Sequence, residues 1–152
     1  MLDLNVTNNT FSFRGKVCVM FEVFPPNTSL ISIEEKDVFD TYLQSFTNSL
    51  KDCYAEWVLI NTRLREEDLS EYFKSIKRKT RVYADYKEYI LKLIKIEKLM
   101  KKNIYLVIGL DGINTDLLNA KCKRIREDLT QLSIYSRILN EAEITSVIKA
   151  CF

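Results

Sequence analysis

The stretch Lys16–Phe24, which reads KVCVMFEVF, decides the fold. β-Branched and aromatic side chains dominate it, and they favour a pleated strand. The alternating segment Thr10–Phe13 precedes it, and Arg14-Gly15 between the two runs predicts the turn of an N-terminal hairpin. Because proline supplies no amide to a strand ladder, Pro25-Pro26 ends the second strand.

Helices and two further core strands are predicted after the hairpin. Ser32, with Glu35 three residues later, forms a capping box that opens the first helix. Apolar runs predict strands at Glu56–Leu64 and Ile104–Ile108. Helices with one apolar face are predicted from Glu66, over Val82–Lys102, over Thr115–Leu132 and from Leu139 onward. The predicted buried side of the Val82–Lys102 helix holds Tyr86, Tyr89, Ile90, Leu93, Ile94 and Met100.

This order of elements favours an α+β or α/β two-layer sandwich. We expect a mixed sheet of three to four strands, made of the hairpin and the two core strands, covered by four to five helices. The 152 residues fit a single domain spanning residues 1–152.

The chain shows no signal peptide and no apolar run long enough to cross a membrane, so we expect a cytoplasmic protein without membrane insertion. Its four cysteines form no C-x-x-C pair and sit in or beside apolar runs. They are predicted to be reduced structural thiols, with a disulfide or a reactive thiol as the alternative.

The residues that common enzymes need are missing. The chain contains no histidine, which removes the commonest general base and most zinc sites. Its three glycines form no phosphate-binding loop. The segment Asp111–Asp116 has oxygen side chains at alternate positions but lacks the terminal glutamate of a calcium loop, so it is predicted to be a turn leading into a helix. The sequence therefore predicts no catalytic residue, no cofactor and no metal, and we expect the chain not to be an enzyme.

Charge is distributed unevenly along the chain. Residues 74–102 hold eleven basic and three acidic residues, a net charge of +8, whereas residues 1–73 carry −6. Three tyrosines, Tyr83, Tyr86 and Tyr89, lie in the basic segment and are able to stack on bases. This pattern is typical of a solvated helix face, of a surface for an acidic protein or nucleic acid, or of an anionic membrane contact. The candidate partner-binding residues, four of them at helical spacing, are Arg81, Lys92, Lys95, Lys98 and Lys102.

Several segments together resemble the N-terminal, TraC-like domain of the assembly ATPases of conjugation and type IV secretion systems. They are PPNTSLISIEE at Pro25–Glu35, WVLINTR at Trp57–Arg63, DLSEY at Asp68–Tyr72, NIYLVI at Asn103–Ile108 and LNEAEI at Leu139–Ile144. Their order and spacing carry the resemblance, which extends from about Phe13 to the end of the chain.

The resemblance implies a cytoplasmic, non-catalytic protein-interaction domain at the inner face of the cell membrane. Such a domain docks the assembly ATPase onto membrane-associated components of a machine that transfers the DNA of mobile elements. Its expected partners are protein components of the conjugation complex, including further copies of itself. Because the ATPase motor with its phosphate loop is absent, we expect an excised or free-standing N-terminal domain. The alternatives are a small nucleic-acid-binding module that uses a basic helix within Lys74–Lys102, and an unrelated adaptor.

Overall fold

A computed structural model describes residues 6–7, 9–25, 32–76, 80–96, 99–112 and 114–151. Contacts divide the chain into two compact units. Unit 1 combines Met1–Leu59 with Ile104–Phe152, and unit 2 is Ile60–Asn103. A single domain over residues 1–152 stays a prediction.

Strands and helices alternate along most of the chain. The strands are β1 (Val6–Thr7), β2 (Thr10–Phe13), β3 (Lys16–Phe24), β4 (Tyr54–Arg63), β5 (Met100–Asp111) and β6 (Tyr135–Ile138). The helices are α1 (Ile33–Ser49), α2 (Glu66–Ser75), α3 (Arg81–Lys95), α4 (Thr115–Gln131) and α5 (Glu141–Cys151). The predicted architecture, a sheet with helices packed on it, is confirmed.

The sheet is larger than predicted, with six strands in the order β1-β2-β3-β5-β4 and with β6 beside β3. β5 pairs with β3 over Lys16–Val23, so β2 and β6 share the other edge of β3. The four pairings whose register is defined, β1–β2, β2–β3, β3–β5 and β3–β6, are all antiparallel. The sheet therefore differs from the mixed one of three to four strands that we expected.

The turn of the predicted hairpin is confirmed. Arg14 has φ 50° and Gly15 has φ 76°, so both central residues between β2 and β3 are left-handed. A two-residue turn of this kind matches the twist of the strands that it joins.

The core of unit 1 lies between one face of the sheet and two helices, α1 and α4. Side chains alternate between the two faces of a strand, and one face of β3 and β5 presents Val19, Phe21, Val23, Leu106 and Ile108. Phe46 of α1 packs against this cluster, together with Leu118, Cys122, Ile125 and Leu129 of α4. All four cysteines are free, and burial raises the pKa of both Cys18 and Cys122 to about 11.

The predicted helix starts are also found. The Glu35 amide donates to Ser32 Oγ (3.2 Å), and the Ser32 amide donates to Glu35 Oε2 (2.9 Å), which completes the capping box of α1. Asn114 caps α4 by accepting from the Leu117 amide at 3.1 Å, as expected for a turn that leads into a helix.

The predicted helix Val82–Lys102 is wrong in its last third. α3 ends at Lys95, and β5 begins at Met100. The start of this strand is held to the end of β4, because the Leu64 amide donates to the Leu99 carbonyl (3.0 Å) and Asn103 Nδ2 donates to Thr62 Oγ1 (2.9 Å). Lysine, leucine and methionine are good helix formers, so pairing with another strand here overrides local propensity.

Candidate functional site

The candidate partner-binding residues fall on two elements of unit 2. Arg81 is the first residue of α3, Lys92 and Lys95 lie in its last turn, and Lys102 lies on β5. Lys98 lies outside the described residues. The structure therefore places three of the five residues on one helix, and the predicted helical stripe that reaches Lys102 is wrong.

The exposed face of α3 carries both signs of charge. Arg81, Asp85, Glu88, Lys92 and Lys95 recur at spacings of three and four residues, which places them on one face, and all five are exposed. No ion pair joins any of the five to another described residue. The sequence drew attention to the cations alone, whereas the two acids lie between them on the same face.

α3 is held mainly by contacts with α2. Thr80 Oγ1 caps the helix by accepting from the Tyr83 amide (3.3 Å), and the Tyr83 hydroxyl donates to the Phe73 carbonyl (3.0 Å). The rings of Phe73 and Tyr83 meet edge to face at 6.4 Å. Phe73 is the one fully buried side chain among the described residues of unit 2, and α3 itself buries none of its 15 residues.

A shallow, open surface depression of about 610 Å³, called the groove below, lies along α3, and every described residue that lines it belongs to α3 or to its N-cap. Its apolar lining comes from Ala84 and Leu91, and Thr80 and Tyr83 line the end nearest the N-terminus of α3. Its charged lining is three lysines and one acid, Lys87, Lys92, Lys95 and Glu88. A groove with an apolar floor and excess positive charge is suited to an extended or helical segment that combines apolar and acidic side chains.

The sequence did not identify Lys87 or Leu91 as site residues. The Lys87 ammonium lies 5.4 Å from the centre of the Phe73 ring, which fixes its stem beside the groove. The spacing Ala84, Lys87, Leu91, Lys95 already follows one helical face. This spacing could have identified Lys87 and Leu91 from the sequence, but the selection of candidate residues was based on positive charge.

Tyr86 and Tyr89 are exposed, so the prediction that they lie on the buried side of the helix is wrong. The Tyr72 hydroxyl of α2 lies close to that of Tyr86, and this neighbour raises the pKa of Tyr86. Met100, also predicted to be buried, is exposed on β5. Tyrosine rings are enriched at protein interfaces relative to the rest of the protein surface.

Polar clusters elsewhere in the described residues join elements of the fold. The buried Ser49 hydroxyl donates to Asp128 Oδ2 at 2.5 Å and links α1 to α4. Arg137 contacts Glu22 at 2.6 Å and Glu143 at 2.7 Å, linking β6 to β3 and α5. The described residues hold no group of three or more cysteine and carboxylate side chains able to bind a metal ion.

Comparison of this chain with protein-family models, with curated proteins and with solved structures found no match in any of the three. None of the described helices combines the length and the apolar character that crossing a bilayer requires.

Proposed function

We propose that this chain is a non-catalytic protein-interaction domain of a conjugative type IV secretion machine. In this proposal it acts in the cytoplasm at the inner face of the membrane and docks an assembly ATPase onto membrane-associated components. The TraC-like sequence segments, which follow one another in the family's order from about Phe13 to the end of the chain, support the assignment to the machine. The open groove along α3 supports docking.

One observation carries the docking proposal: α3 is an amphipathic helix that buries none of its 15 residues. Most helix stability in proteins comes from packing of the apolar face, so a helix this thinly packed has apolar area left for a partner. The groove supplies that area at Leu91 and positive charge at Lys87 and Lys95. We therefore propose an acidic, partly apolar protein segment as its partner.

The acids on α3 favour a protein partner over a nucleic acid. A surface that follows a phosphate backbone gains affinity from each lysine or arginine that neutralises a phosphate. Asp85 and Glu88 lie between Arg81 and Lys92 on the exposed face, so this face lacks the continuous run of cations that follows a phosphate backbone. Tyrosine is also a residue type enriched at protein interfaces, and Tyr86 and Tyr89 are exposed on the same helix.

Reversal of two charges on the groove tests this proposal. The variant is Lys92→Glu with Lys95→Glu, and the matched control is Lys123→Glu with Arg126→Glu, an exposed pair at the same spacing on α4. Capture of membrane-associated components of the secretion machine should weaken at least tenfold for the α3 variant, mainly through slower association, and should be unchanged for the control. Equal capture by both variants would contradict docking through α3.

The same two variants test the nucleic-acid alternative. Labelled duplex and single-stranded DNA are titrated at about 50 and 200 mM salt, where phosphate contacts give a steep dependence. We expect no sub-micromolar binding. Tight, salt-sensitive DNA binding that the α3 variant loses and the α4 control keeps would replace the proposed function with the nucleic-acid module.

A further inference from the structure

β4 is an edge strand without the features that usually protect an edge. It is ten residues long and stands last in the strand order, and β5 is its one neighbour within the described sheet. No residue of β4 is fully buried. Its central residues 57–62, WVLINT, contain no proline and no charge. Natural edge strands are usually short, charged or interrupted, because their unpaired amides and carbonyls recruit other strands.

Both faces of the β4 edge are apolar. On one face Trp57 meets the ring of Phe46 at 6.4 Å, and Trp57 and Leu59 remain 44% and 59% exposed. Side chains alternate along a strand, so Val58 points to the other face. There a cavity of about 310 Å³ opens beside residues 56–59, with a lining that includes Phe11, Phe13, Met20, Val107, Val147 and Ile148.

The occupant of this edge must be extended, must offer backbone hydrogen bonds and must present apolar side chains to both faces. β4 itself has that character, since Trp57 and Leu59 alternate with Val58 and Ile60. A two-fold axis brings the same patch of two copies together, so one pairing satisfies both exposed edges. Charge does not oppose this pairing, because antiparallel alignment sets the Glu56 end of each strand beside the Arg63 end of the other and not beside a second Glu56.

We infer that two copies of this chain pair through β4, antiparallel and centred on Leu59. Leu59 then faces Leu59 of the other copy, Val58 faces Ile60, and Glu56 faces Thr62, so no like charges meet across the strands. The sheets of the two copies become continuous. The described strands of each chain contribute one such edge, so the assembly closes at a dimer. The pairing uses no residue of α3 and is independent of the docking proposal.

Sedimentation velocity on the full chain tests the dimer, over about 1 to 500 µM because a self-association equilibrium depends on concentration. The variant Leu59→Lys places a charge at the centre of the pairing. The matched control is Leu117→Lys on α4, at a leucine 57% exposed. We expect wild type and the control to form dimers and Leu59→Lys to dissociate at least tenfold more readily. A wild type that stays monomeric throughout, or a Leu59→Lys variant that dimerises equally well, overturns the inference. If the wild type is a monomer, the exposed edge of β4 would be free to pair with a strand of another protein. Open-ended polymers would contradict the inference that the assembly closes as a dimer.

A cross-linking measurement covers the case in which Leu59→Lys does not fold. Directly opposed residues of an antiparallel pair have Cα atoms about 4.5–5.5 Å apart, which a disulfide spans. In a Cys151→Ser background, which removes the exposed native thiol, Leu59→Cys should form a covalent dimer on oxidation and Leu117→Cys should not. If Leu59→Cys cross-links no better than Leu117→Cys, the β4 pairing is wrong.

Discussion

α4 and α3 are amphipathic helices of similar length, 17 and 15 residues, yet they are packed very differently. α4 lies on the sheet of unit 1 and buries five side chains: Leu118, Cys122, Ile125, Asp128 and Leu129. α3 buries none, and Phe73 of α2 supplies the one buried side chain of the described part of unit 2. An apolar stripe in the sequence therefore shows that a helix has a face suited to burial. It does not show whether other parts of the same chain bury that face. In this chain α4 completes a core, whereas α3 leaves its apolar stripe partly uncovered within the described residues.

Truncation of one isoleucine on each helix should show the largest difference in stability between α4 and α3. Ile125 lies on the buried face of α4 and is fully buried. Ile125→Ala should therefore lower the unfolding free energy by about 2–5 kcal/mol, because apolar burial is lost and a cavity is left. Ile90→Ala on α3, at a half-buried position, should cost about 1 kcal/mol or less. Urea unfolding measures both, and equal losses would show that α3 is packed as tightly as α4.

The hydrogen bond between Ser49 and Asp128 should contribute more to the free energy of unfolding than a similar bond in unit 2. Ser49→Ala leaves a buried carboxylate without its hydroxyl partner, at a cost of about 1–3 kcal/mol. The control is Ser75→Ala on α2, where the exposed hydroxyl donates to the Tyr72 carbonyl at 2.7 Å and water replaces it readily. Urea unfolding should show the lower unfolding free energy of Ser49→Ala. The unfolding free energy of Ser75→Ala should stay within about 0.5 kcal/mol of wild type. A loss at Ser75 as large as that at Ser49 would contradict the contrast.

The two N-caps allow a comparison at matched chemistry. Ser32→Ala on α1 and Thr80→Ala on α3 each remove a side-chain oxygen that accepts from the third helical amide. Loss of such a cap costs about 0.5–2 kcal/mol. We expect the loss at Ser32 to lower global stability in urea. The loss at Thr80 should instead speed hydrogen exchange within α3, because thinly packed regions open locally. A global loss at Thr80 that matches Ser32 would mean that both units unfold together.

Much of unit 1 was predictable from sequence because its signals are local. The Arg14-Gly15 turn, the Ser32 cap and the apolar repeat of α4 each depend on residues close together in the chain. β6 was missed because its four residues, YSRI, show no alternation, and it forms by pairing with β3. In unit 2, the extension of α3 to Lys102 and the inward placement of Tyr86 were wrong. Strand pairing and the side on which a helix is covered are tertiary properties that a helical repeat does not encode.

Acid should affect global stability through unit 1 more than through unit 2. Glu143 accepts from the Asn140 amide at 2.9 Å and pairs with Arg137, and these contacts hold the pKa of Glu143 below its ordinary 4.5. The backbone amide of Arg65 likewise lowers the pKa of Asp68 in unit 2, with Lys101 adding to the effect. A carboxyl group whose pKa is lowered by folding stabilises the folded state at pH values above its unfolded-state pKa. That stabilisation is lost as the pH falls through the pKa of the folded state. Glu143→Gln should therefore narrow the difference in urea stability between neutral and acid pH. Asp68→Asn should narrow it less, because Asp68 lies in the thinly packed unit 2, which we expect to open locally before the whole chain unfolds. An equal or larger effect at Asp68 would argue against the contrast.

Hydrogen exchange measured peptide by peptide on the free wild-type chain tests the central contrast most directly. Amides in the middle of α4, around Cys122 and Ile125, should exchange only through global unfolding, because the sheet and α1 cover them. Those of α3 between Asp85 and Lys92 should exchange through local opening, faster by at least about a hundredfold, which corresponds to some 2.7 kcal/mol less protection. Equal protection in the two helices would show that α3 is part of one cooperative core and would contradict its assignment as a docking surface.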